Sequence, residues 1–422
     1  MNVHKFERLK NSFLSFFVYS TVRSATIKSH RVGIAYRLAQ IILLVYIIGW
    51  ELILKKGYQA FDSVSSSVTT KVKGQGFVPI NATINSSLNK NDPFYYEKLF
   101  EIDEKKDFRL LDTADYIIPP NEYNSIFIMS NFIETTQTQG VCDEEVSKPK
   151  AKCYNESDCL SLGINLNSWN GIPTGKCVNS STTPGVSVCE IRAWCPVEHE
   201  SERNEDHLIR NVLNYTIFIK NDVEFKKFKK KERNILPFIT NQYISKCKYH
   251  NINDPYCPVF QVDYILSMAE PDKKQKYQML IKGGVVVIDI IWECDFDFNK
   301  QCLPKFGFRR FDTKETNTAS GFNFRFANKF RMYDKEYRTL FKAYGLRFII
   351  NVSGIGGKFS IVPLMMTIGA GLGLMSISVI IADCVMLHCT KNKTLYQKIK
   401  EGEVKKDLLA ATTTSSMLNN EF

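Results

Sequence analysis

Residues 34–54 read IAYRLAQIILLVYIIGWELIL, and the section from Leu38 to Trp50 contains one strongly polar residue, Gln40. A helix of this length covers about 30 Å, which is the thickness of the hydrocarbon core of a bilayer. A long, mostly polar stretch precedes it, and no small-residue cleavage site follows before Lys55 and Lys56. These flanks argue against a cleaved signal peptide. We therefore predict an uncleaved signal anchor, with a transmembrane helix over 34–54.

A second apolar stretch covers residues 361–389, IVPLMMTIGAGLGLMSISVIIADCVMLHC, and its ionisable residues are Asp383 and His388. A helix of this length exceeds the bilayer thickness, so we expect it to tilt or to project from the membrane. Small residues favour close packing between helices over contact with lipid alone. They form a stripe in this stretch: Gly369, Ala370, Gly371 and Gly373.

The flanking charges predict the orientation of both spans. Residues 1–33 carry six Lys and Arg against one acidic residue, and the tail at 390–422 carries six Lys. Because cytosolic flanks of membrane proteins are enriched in Lys and Arg, both ends are predicted to be cytosolic. The segment 55–360 is then extracellular, in a multi-pass protein of the plasma membrane.

The cysteines support this topology, since ten of the twelve fall within 55–360. An even number confined to one compartment is typical of an oxidised extracellular domain. Six of them cluster in a Cys-rich region at 142–195, and the other four look like two local pairs, Cys247 with Cys257 and Cys294 with Cys302. The absence of a CxxC pair makes a zinc site the weaker interpretation.

Glycosylation sequons, N-x-S/T, lie in the same segment. We expect glycans at five of them: Asn81, Asn85, Asn155, Asn179 and Asn214. Asn351 also matches, but it lies only ten residues before the second span, where the glycosylation machinery reaches poorly.

The composition and patterning of 55–360 predict a β-rich fold. The 422-residue chain is 44% hydrophobic and 23% charged, too polar for a protein made mostly of spans and too apolar for a disordered one. Short alternating or apolar runs such as SSVTTKVKG, YTIFIK, GGVVVIDIIW and FNFRFA are separated by polar turns, a pattern that indicates strands.

A search for catalytic chemistry finds no candidate residues. The glycine-rich GIGGKFS at 354–360 lacks the first glycine and the setting of a phosphate-binding loop, and the six His form no HExxH motif. We therefore predict no enzyme activity and no cofactor. His199 and His207 lie among acidic residues and are candidates for a modulatory divalent cation, although a solvated acidic loop is the favoured interpretation. The basic run 226–231 reads as a solvated loop, and the topology argues against a nucleic-acid partner.

Two predicted strands carry polar groups on one face and mostly apolar groups on the other, because side chains alternate along a strand. In the first, Thr69, Lys71 and Lys73 lie opposite Val68, Thr70 and Val72. In the second, Asn323 and Arg325 lie opposite a buried face of Phe322, Phe324 and Phe326.

Distance from the spans indicates that these cations can meet. Lys71 lies 16 residues after Lys55, and Lys342 lies 19 residues before Ile361, so extended strands carry both to comparable heights. Four cations at one level repel unless an anion joins them, and a polyphosphate accepts several charge-assisted hydrogen bonds. Spacing alone nevertheless favours four unrelated surface cations.

The same blocks resemble the ATP-gated cation channels, the purinergic P2X receptors. The resemblance runs from about Tyr19 to Lys400, nearly the whole chain. Its ordered blocks include YSTVR at 19–23, KKGYQ at 55–59, SSVTTKVKG at 66–74, DTADYIIPP at 112–120, CEIRAWCPVE at 189–198, NYTIFIKN at 214–221, GFNFRFA at 321–327 and KAYGLRF at 342–348.

The resemblance implies a trimeric channel, as a homotrimer or heterotrimer, with two transmembrane helices per subunit and a disulfide-bonded, β-rich (mixed α+β) ectodomain whose head region is 142–195. It implies an ATP site between neighbouring subunits, with Lys71 and Lys73 on one side and Asn323, Arg325 and Lys342 on the other. The family's adenine-contacting Thr is replaced by Val188, with Ser187 beside it, which puts recognition of the base in doubt.

The family's disulfides would join Cys142 with Cys195, Cys153 with Cys177, Cys159 with Cys189, Cys247 with Cys257, and Cys294 with Cys302. Thr21 and Arg23 match a cytosolic segment associated with desensitisation, and the stretch from Tyr396 to Lys400 fits a surface-retention motif.

By resemblance, ATP binding closes the ectodomain jaws and opens a non-selective pore for Na⁺, K⁺ and Ca²⁺, lined by the second helix. Met366, Ala370 and Gly373 fall where the family's closed gate lies, and three Met366 side chains would form a dewetted constriction. Asp383 is expected to face the inner vestibule or to pair between subunits, because a carboxylate facing lipid is costly.

Two other classes of protein remain as alternatives. A two-span trimeric channel of the epithelial or acid-sensing type shares the topology and the abundance of cysteines, but lacks the Lys, Asn and Arg blocks. A membrane-tethered ATP-binding ecto-enzyme requires carboxylates that hold a metal and a positioned water, and the sequence offers no such set.

Overall fold

The computed structural model describes residues 29–80, 92, 94–100, 108–119, 121–160, 169–198, 207–298, 301–312, 321–390 and 394. The chain divides into two compact units, one formed by Met1–Ala60 with Lys358–Phe422 and the other by Phe61–Gly357. Several predicted functional residues lie outside the described residues: Thr21, Arg23, Asn81, Asn85, His199, Tyr396 and Lys400.

The described helices are α1 (His30–Val45), which continues as a π-helix (Tyr46–Leu54), α2 (Tyr95–Phe100), α3 (Thr113–Tyr116), α4 (Glu156–Leu160), α5 (Asn241–Ile244), α6 (Val262–Ala269), α7 (Lys273–Lys282) and α8 (Ile361–Cys389). The described strands are β1 (Gln59–Ser63), β2 (Ser65–Lys73), β3 (Gly76–Pro79), β4 (Phe108–Leu111), β5 (Ser125–Asp143), β6 (Ile172–Asn179), β7 (Ser187–Cys195), β8 (Thr216–Phe225), β9 (Lys230–Arg233), β10 (Val259–Gln261), β11 (Gly284–Asp295), β12 (Pro304–Arg310), β13 (Asn323–Met332) and β14 (Lys335–Phe359).

The first unit contains two helices long and apolar enough to cross a membrane, His30–Leu54 and Ile361–Cys389. The second has the bounds expected from the sequence. The first begins at His30 rather than at residue 34, because the helix continues through polar residues that an apolar count leaves out. Its C-terminal third, Tyr46–Leu54, is π-helical, which the sequence pattern did not indicate.

The two long helices contact each other through a small residue. Gly371 of α8 is buried, and a Cβ atom at this position would lie 3.0 Å from Cγ2 of Ile47. Gly369 and Gly373 have no such neighbour within 4 Å in the described residues. Among the glycines of the predicted small-residue stripe, Gly371 therefore packs against the π-helix that continues α1, and the other two have no such contact in the described residues.

The second unit is built on two larger sheets. An eight-stranded sheet has the central order β12-β11-β14-β5-β7-β6, with β1 and β13 also paired to β14, and a four-stranded sheet has the order β10-β8-β2 with β9 on β8. β11 and β14 run parallel, with Gly284 opposite Leu346 and Asp295 opposite Gly357. The predicted β-rich, mixed fold is confirmed, and the helices described within this unit are at most ten residues long.

The core of this unit lies between the sheets and the helices α6 and α7. Trp292 of β11 is completely buried, and its indole Nε1 donates a hydrogen bond of 2.8 Å to Oδ1 of Asn221. The Asn221 backbone N–H donates to Asn234 Oδ1 in turn. Because buried polar groups are costly without partners, this chain of bonds fixes β8 against β11.

Five disulfides cross-link the same unit, in the pairings that the family resemblance implies. They join Cys142 with Cys195, Cys153 with Cys177, Cys159 with Cys189, Cys247 with Cys257, and Cys294 with Cys302. Three of them lie within 142–195, where Cys153, Cys159 and Cys189 form a small buried cluster against Trp169.

Candidate ligand-binding site and pore helix

The antiparallel pairing of β13 with β14 brings three predicted ligand residues to one face. Arg325 lies directly opposite Lys342, and Asn323 lies opposite Tyr344. Residues that face each other across an antiparallel pair share a face, as do residues two apart. Asn323 and Arg325 are exposed, while Phe324 on the opposite face packs against the core. The predicted aromatic face is half-buried rather than buried. In the described residues β13 is an edge strand that pairs only with β14, so fewer neighbours cover its side chains.

Glu198 lies between the two cations of this face. Its carboxylate accepts two hydrogen bonds from Arg325, Nε to Oε2 at 2.7 Å and Nη2 to Oε1 at 3.1 Å. Lys342 Nζ lies 3.6 Å from Oε1 of the same carboxylate. The side chains of Glu198 and Lys342 are both 9% exposed, whereas Arg325 is 46% exposed. The expectation that these cations need an external anion is therefore wrong for this pair, which already has a carboxylate partner.

The buried position of Lys342 is supported by an aromatic ring as well as by the carboxylate. Its Nζ lies 5.4 Å from the centre of the Tyr344 ring, within the range of a cation–π contact. Arg325 forms the planar, two-point contact with a carboxylate that a phosphate can also accept. Lys342 is therefore fixed by its carboxylate and aromatic neighbours, whereas the half-exposed Arg325 can also bind an oxyanion.

Lys71 and Lys73 lie on a different sheet, on β2. Both are exposed, together with Thr69, while Val68, Thr70 and Val72 are half-buried, so the predicted two-faced strand is confirmed. Lys73 is the last residue of β2 and lies opposite Thr216 of β8.

The turn after Lys73 is held by two stacked tyrosines. The Tyr116 hydroxyl donates a hydrogen bond of 2.9 Å to the carbonyl oxygen of Gly74, and the rings of Tyr116 and Tyr215 stack at 4.5 Å. A Cβ atom at Gly74 would lie 2.3 Å from the Tyr215 ring, which excludes any larger residue there. Burial raises the pKa of both phenols well above the usual range, so they stay neutral. We infer that this stack determines the direction in which the end of β2 presents Lys73.

The two residues expected near a base have different settings. Val188 of β7 is completely buried, so the side chain that replaces the family's Thr does not face solvent in the single chain. Ser187 is half-buried, and its hydroxyl donates to Asn179 Oδ1 at 3.1 Å.

The predicted gate residues share one face of α8. At about 100° per residue, Met366, Ala370 and Gly373 lie within about 60° of one another. Met366 is about 140° from Gly371, which packs against the π-helix that continues α1. Met366 is 71% exposed in the single chain, and Asp383 is half-buried.

Other predicted sites have simpler settings. The described sequon residues Asn155, Asn179 and Asn214 are all exposed, as glycosylation requires. The His207 ring packs against Phe132 with centroids 5.2 Å apart. The cysteine clusters that could mimic a metal site consist largely of disulfide sulfurs.

Comparison with known proteins places this geometry in a family. The family model described as ATP P2X receptor matches residues 17–403. P2X purinoceptor 4 of Mus musculus is 40% identical over 394 residues, covering 92% of this chain and 93% of that protein. P2X purinoceptor 5 of Homo sapiens is 36% identical, covering 94% and 84%.

Two solved structures have the same fold. A P2X receptor from the Gulf Coast tick, crystallised in the presence of ATP and Zn²⁺, matches with a TM-score of 0.72 and 35% identity, over 83% of this chain and all of that one. The chicken ATP-gated P2X7 receptor channel, crystallised with the competitive antagonist TNP-ATP, matches with a TM-score of 0.68 and 33% identity, over 84% and 99%.

Proposed function

The chain belongs to the ATP P2X receptor family, and we infer from this membership that it is a cation channel of the plasma membrane opened by extracellular ATP. The two alternatives, a channel gated by another ligand and an ecto-enzyme, are not favoured, because the relatives match over nearly the whole chain and are receptors and channels.

We propose that three subunits assemble as a homotrimer and that each ATP lies between two of them. Lys71 and Lys73 of one subunit and Asn323, Arg325 and Lys342 of the next would bind the phosphates. ATP carries nearly four negative charges, and each charge-assisted hydrogen bond contributes about 1.5–3 kcal/mol. The observation that carries this proposal is the pairing of Arg325 with Lys342 on one face of a strand pair.

Glu198 sets the net charge of this half of the site. With Arg325 and Lys342 it forms a group of net charge plus one, so an arriving phosphate either shares the two cations with the carboxylate or displaces it. Base recognition would depend on backbone groups and on Ser187, since the Val188 side chain is buried.

Opening of the pore follows from differential binding. ATP shifts the closed–open equilibrium only to the extent that it binds the open state more tightly. Lys342 and the pore helix belong to one continuous stretch of chain, β14, Ser360 and α8. We propose that closure of the site around ATP pulls on this stretch, separates three Met366 side chains and opens a cation pathway that Asp383 makes favourable.

The remaining parts of the proposal concern the membrane. Both termini would be cytosolic, by the distribution of Lys and Arg, and the exposed apolar side chains of α1 and α8 would face lipid or other subunits. The activity would need no cofactor, although a modulatory divalent cation near His207 is compatible with the family. Mixed trimers with related subunits are a further expectation.

Whole-cell recording during rapid application of ATP tests the function directly. We expect a fast inward current, and we expect Lys73→Ala and Lys342→Ala each to raise the half-activating ATP concentration about 10- to 150-fold, the equivalent of about 1.5–3 kcal/mol. Lys305→Ala is the matched control, because Lys305 is an exposed lysine paired with an exposed Glu293 and should leave the value unchanged. Phosphate release without current would overturn the channel, and unchanged activation in both variants would overturn the site.

The assembly has its own measurement. The protein purified in mild detergent should have a protein mass about three times the 48.5 kDa of the chain, after the masses of detergent and glycan are subtracted. A mass corresponding to one or two chains under conditions that preserve ATP binding would contradict the trimer.

A further inference from the structure

Two residues at the end of α8 have a chemistry that ATP gating does not use. Cys384 and Cys389 are the two cysteines outside the five disulfides, and both are exposed. Cys384 is one turn before His388, and its Sγ lies 3.9 Å from Nδ1 of the imidazole. Thiolate and imidazole are the donors that zinc and similar borderline-soft divalent cations prefer.

The imidazole is held in place by its own helix. Nδ1 of His388 lies 3.1 Å from the backbone carbonyl oxygen of Cys384, and because a carbonyl oxygen can only accept, Nδ1 is the donor. In the neutral ring, Nε2 then keeps its lone pair for a metal. A backbone carbonyl that fixes the second nitrogen is the usual support of a histidine ligand.

The two side chains are neighbours on one helical face. A tetrahedral zinc ion with a sulfur at about 2.3 Å and a nitrogen at about 2.0–2.1 Å separates these two atoms by about 3.5 Å. The Cys384 thiol lies 3.9 Å from Nδ1, so it must rotate towards Nε2, on the other side of the ring, for both donors to bind one ion.

The helical phase places this pair on the proposed pore face. At about 100° per residue, Cys384 lies in line with Met366, and His388 lies in line with Ala370. Cys389 lies about 140° away, near the direction of Gly371. If the face of Met366 lines the pore, three copies of the Cys384–His388 pair surround its cytosolic end.

We propose that Cys384 and His388 form a binding site for a borderline-soft divalent cation such as Zn²⁺ at the cytosolic end of the pore. This inference rests on the proposed function, because the pore-facing direction comes from it. The Cys384 thiol loses its proton on binding and the ion takes the thiolate and Nε2, and water or the equivalent residues of the other subunits would complete its coordination. An ion held there reduces the ATP-evoked current from the inside.

Inside-out patches provide the test, with ATP in the pipette and CdCl₂ or ZnCl₂ applied to the cytosolic face. We expect micromolar metal to reduce the current of the native protein, and Cys384→Ser and His388→Ala each to raise the half-blocking concentration by about tenfold or more, the loss that even a supporting group near a metal causes. Cys389→Ser is the matched control and should keep the native block. Absence of block, or block that survives both substitutions, overturns the proposal, as does equal loss in Cys389→Ser.

Direct binding separates this proposal from the channel function. Cd²⁺ added to the purified trimer should produce the ultraviolet absorption of a cadmium–thiolate bond, which Cys384→Ser removes and Cys389→Ser keeps. If ATP evokes no current but this absorption follows the expected pattern, the function fails and the metal site stands. If ATP evokes current and the absorption is absent, the metal site is wrong and the channel stands.

Discussion

Among single residues, Glu198 controls how strongly the β13–β14 face attracts an anion. It binds the half-exposed Arg325 by two hydrogen bonds and lies 3.6 Å from the buried Lys342. Removing one member of a buried ion pair leaves the other charge without compensation, which costs several kcal/mol. In the proposed site, the phosphates of ATP would supply that compensation, so we expect the same residue to affect both the stability of the site and its affinity.

Glu198→Gln should lower the half-activating ATP concentration. Replacing the carboxylate by a neutral amide raises the net charge of the group from plus one to plus two, and the amide no longer competes with phosphate for the two cations. A change of about tenfold corresponds to 1.4 kcal/mol. Concentration–response curves measure it, and surface labelling checks that the variant reaches the membrane.

Glu198→Asp is the control, since it keeps the charge and should stay near the native value. A rise in the half-activating concentration of Glu198→Gln, with normal surface expression, would show that Glu198 supports the bound phosphates rather than competing with them.

Single-sequence reasoning found the cations but not their partner. The alternation of side chains along a strand placed Lys71, Lys73 and Arg325 on polar faces, because this alternation is a local property of the sequence. Glu198 lies 127 residues before Arg325, and its contact depends on how the chain beyond β7 approaches β13. No local pattern reports such a contact. The CPVE block contains the residue, and nothing in its spacing assigns it a role.

Among the elements, the strands β12, β11 and β14 are connected by one carboxylate. Asp289 of β11 accepts hydrogen bonds from Arg309 of β12 at 2.8 Å and from Asn351 of β14 at 2.7 Å. Burial raises the pKa of this carboxyl, but the two hydrogen bonds outweigh burial and hold the pKa below its ordinary value of 3.8. The folded state therefore favours the ionised form.

This shift predicts how stability changes with pH. A carboxyl whose pKa is lowered by folding stabilises the protein above its unfolded pKa and loses that contribution as the pH falls through the folded pKa. Asp289→Asn should therefore lower the free energy of unfolding by about 1 kcal/mol at pH 7, a value reduced from a buried pair because Arg309 is half exposed. Below about pH 4 the difference from the native protein should shrink.

Thermal unfolding of the purified protein at both pH values measures this difference. Glu293→Gln, in the exposed pair with Lys305 on the same two strands, should have little effect at either pH. A destabilisation by Asp289→Asn that stays constant with pH would show that the carboxylate charge is not its cause.

Element boundaries were less predictable than element types. The second apolar stretch has the same bounds as α8, because its ionisable residues, Asp383 and His388, are too few to interrupt the apolar pattern. It placed the start of the first span at residue 34, whereas α1 begins at His30, since helical hydrogen bonding does not require apolar side chains. The π-helical turn depends on how the backbone bonds locally, which hydrophobicity does not encode.

For the whole molecule, the two candidate spans and the confinement of the disulfides to the middle segment were readable from the chain, because apolar length and cysteine position are properties of the sequence itself. The cytosolic placement of the basic ends stays a prediction from the distribution of Lys and Arg. The order of the strands was not readable, since the parallel pairing of β11 with β14 joins segments about 60 residues apart. The proposed ATP site between subunits could be inferred only from the family, because Lys71 and Lys73 of one chain would have to meet residues of another.

The connection from Lys342 to α8 contains a single residue outside regular structure, Ser360. A Gly-Ser insertion at this point should reduce the maximal ATP-evoked current severalfold while leaving the binding of labelled ATP to surface receptors nearly unchanged. The same insertion in the exposed turn at 251–253 is the control and should preserve the current. An unchanged maximal current after insertion at Ser360 would contradict transmission through this connection.

From Lys342 to Phe359 the extended backbone spans about 60 Å at about 3.3 Å per residue, without an intervening loop. If the site pulls on α8 through this strand, as proposed, agonist efficacy and not only agonist potency depends on how far β14 stretches. A partial agonist would then be a ligand that fills the site but displaces β14 by a smaller distance.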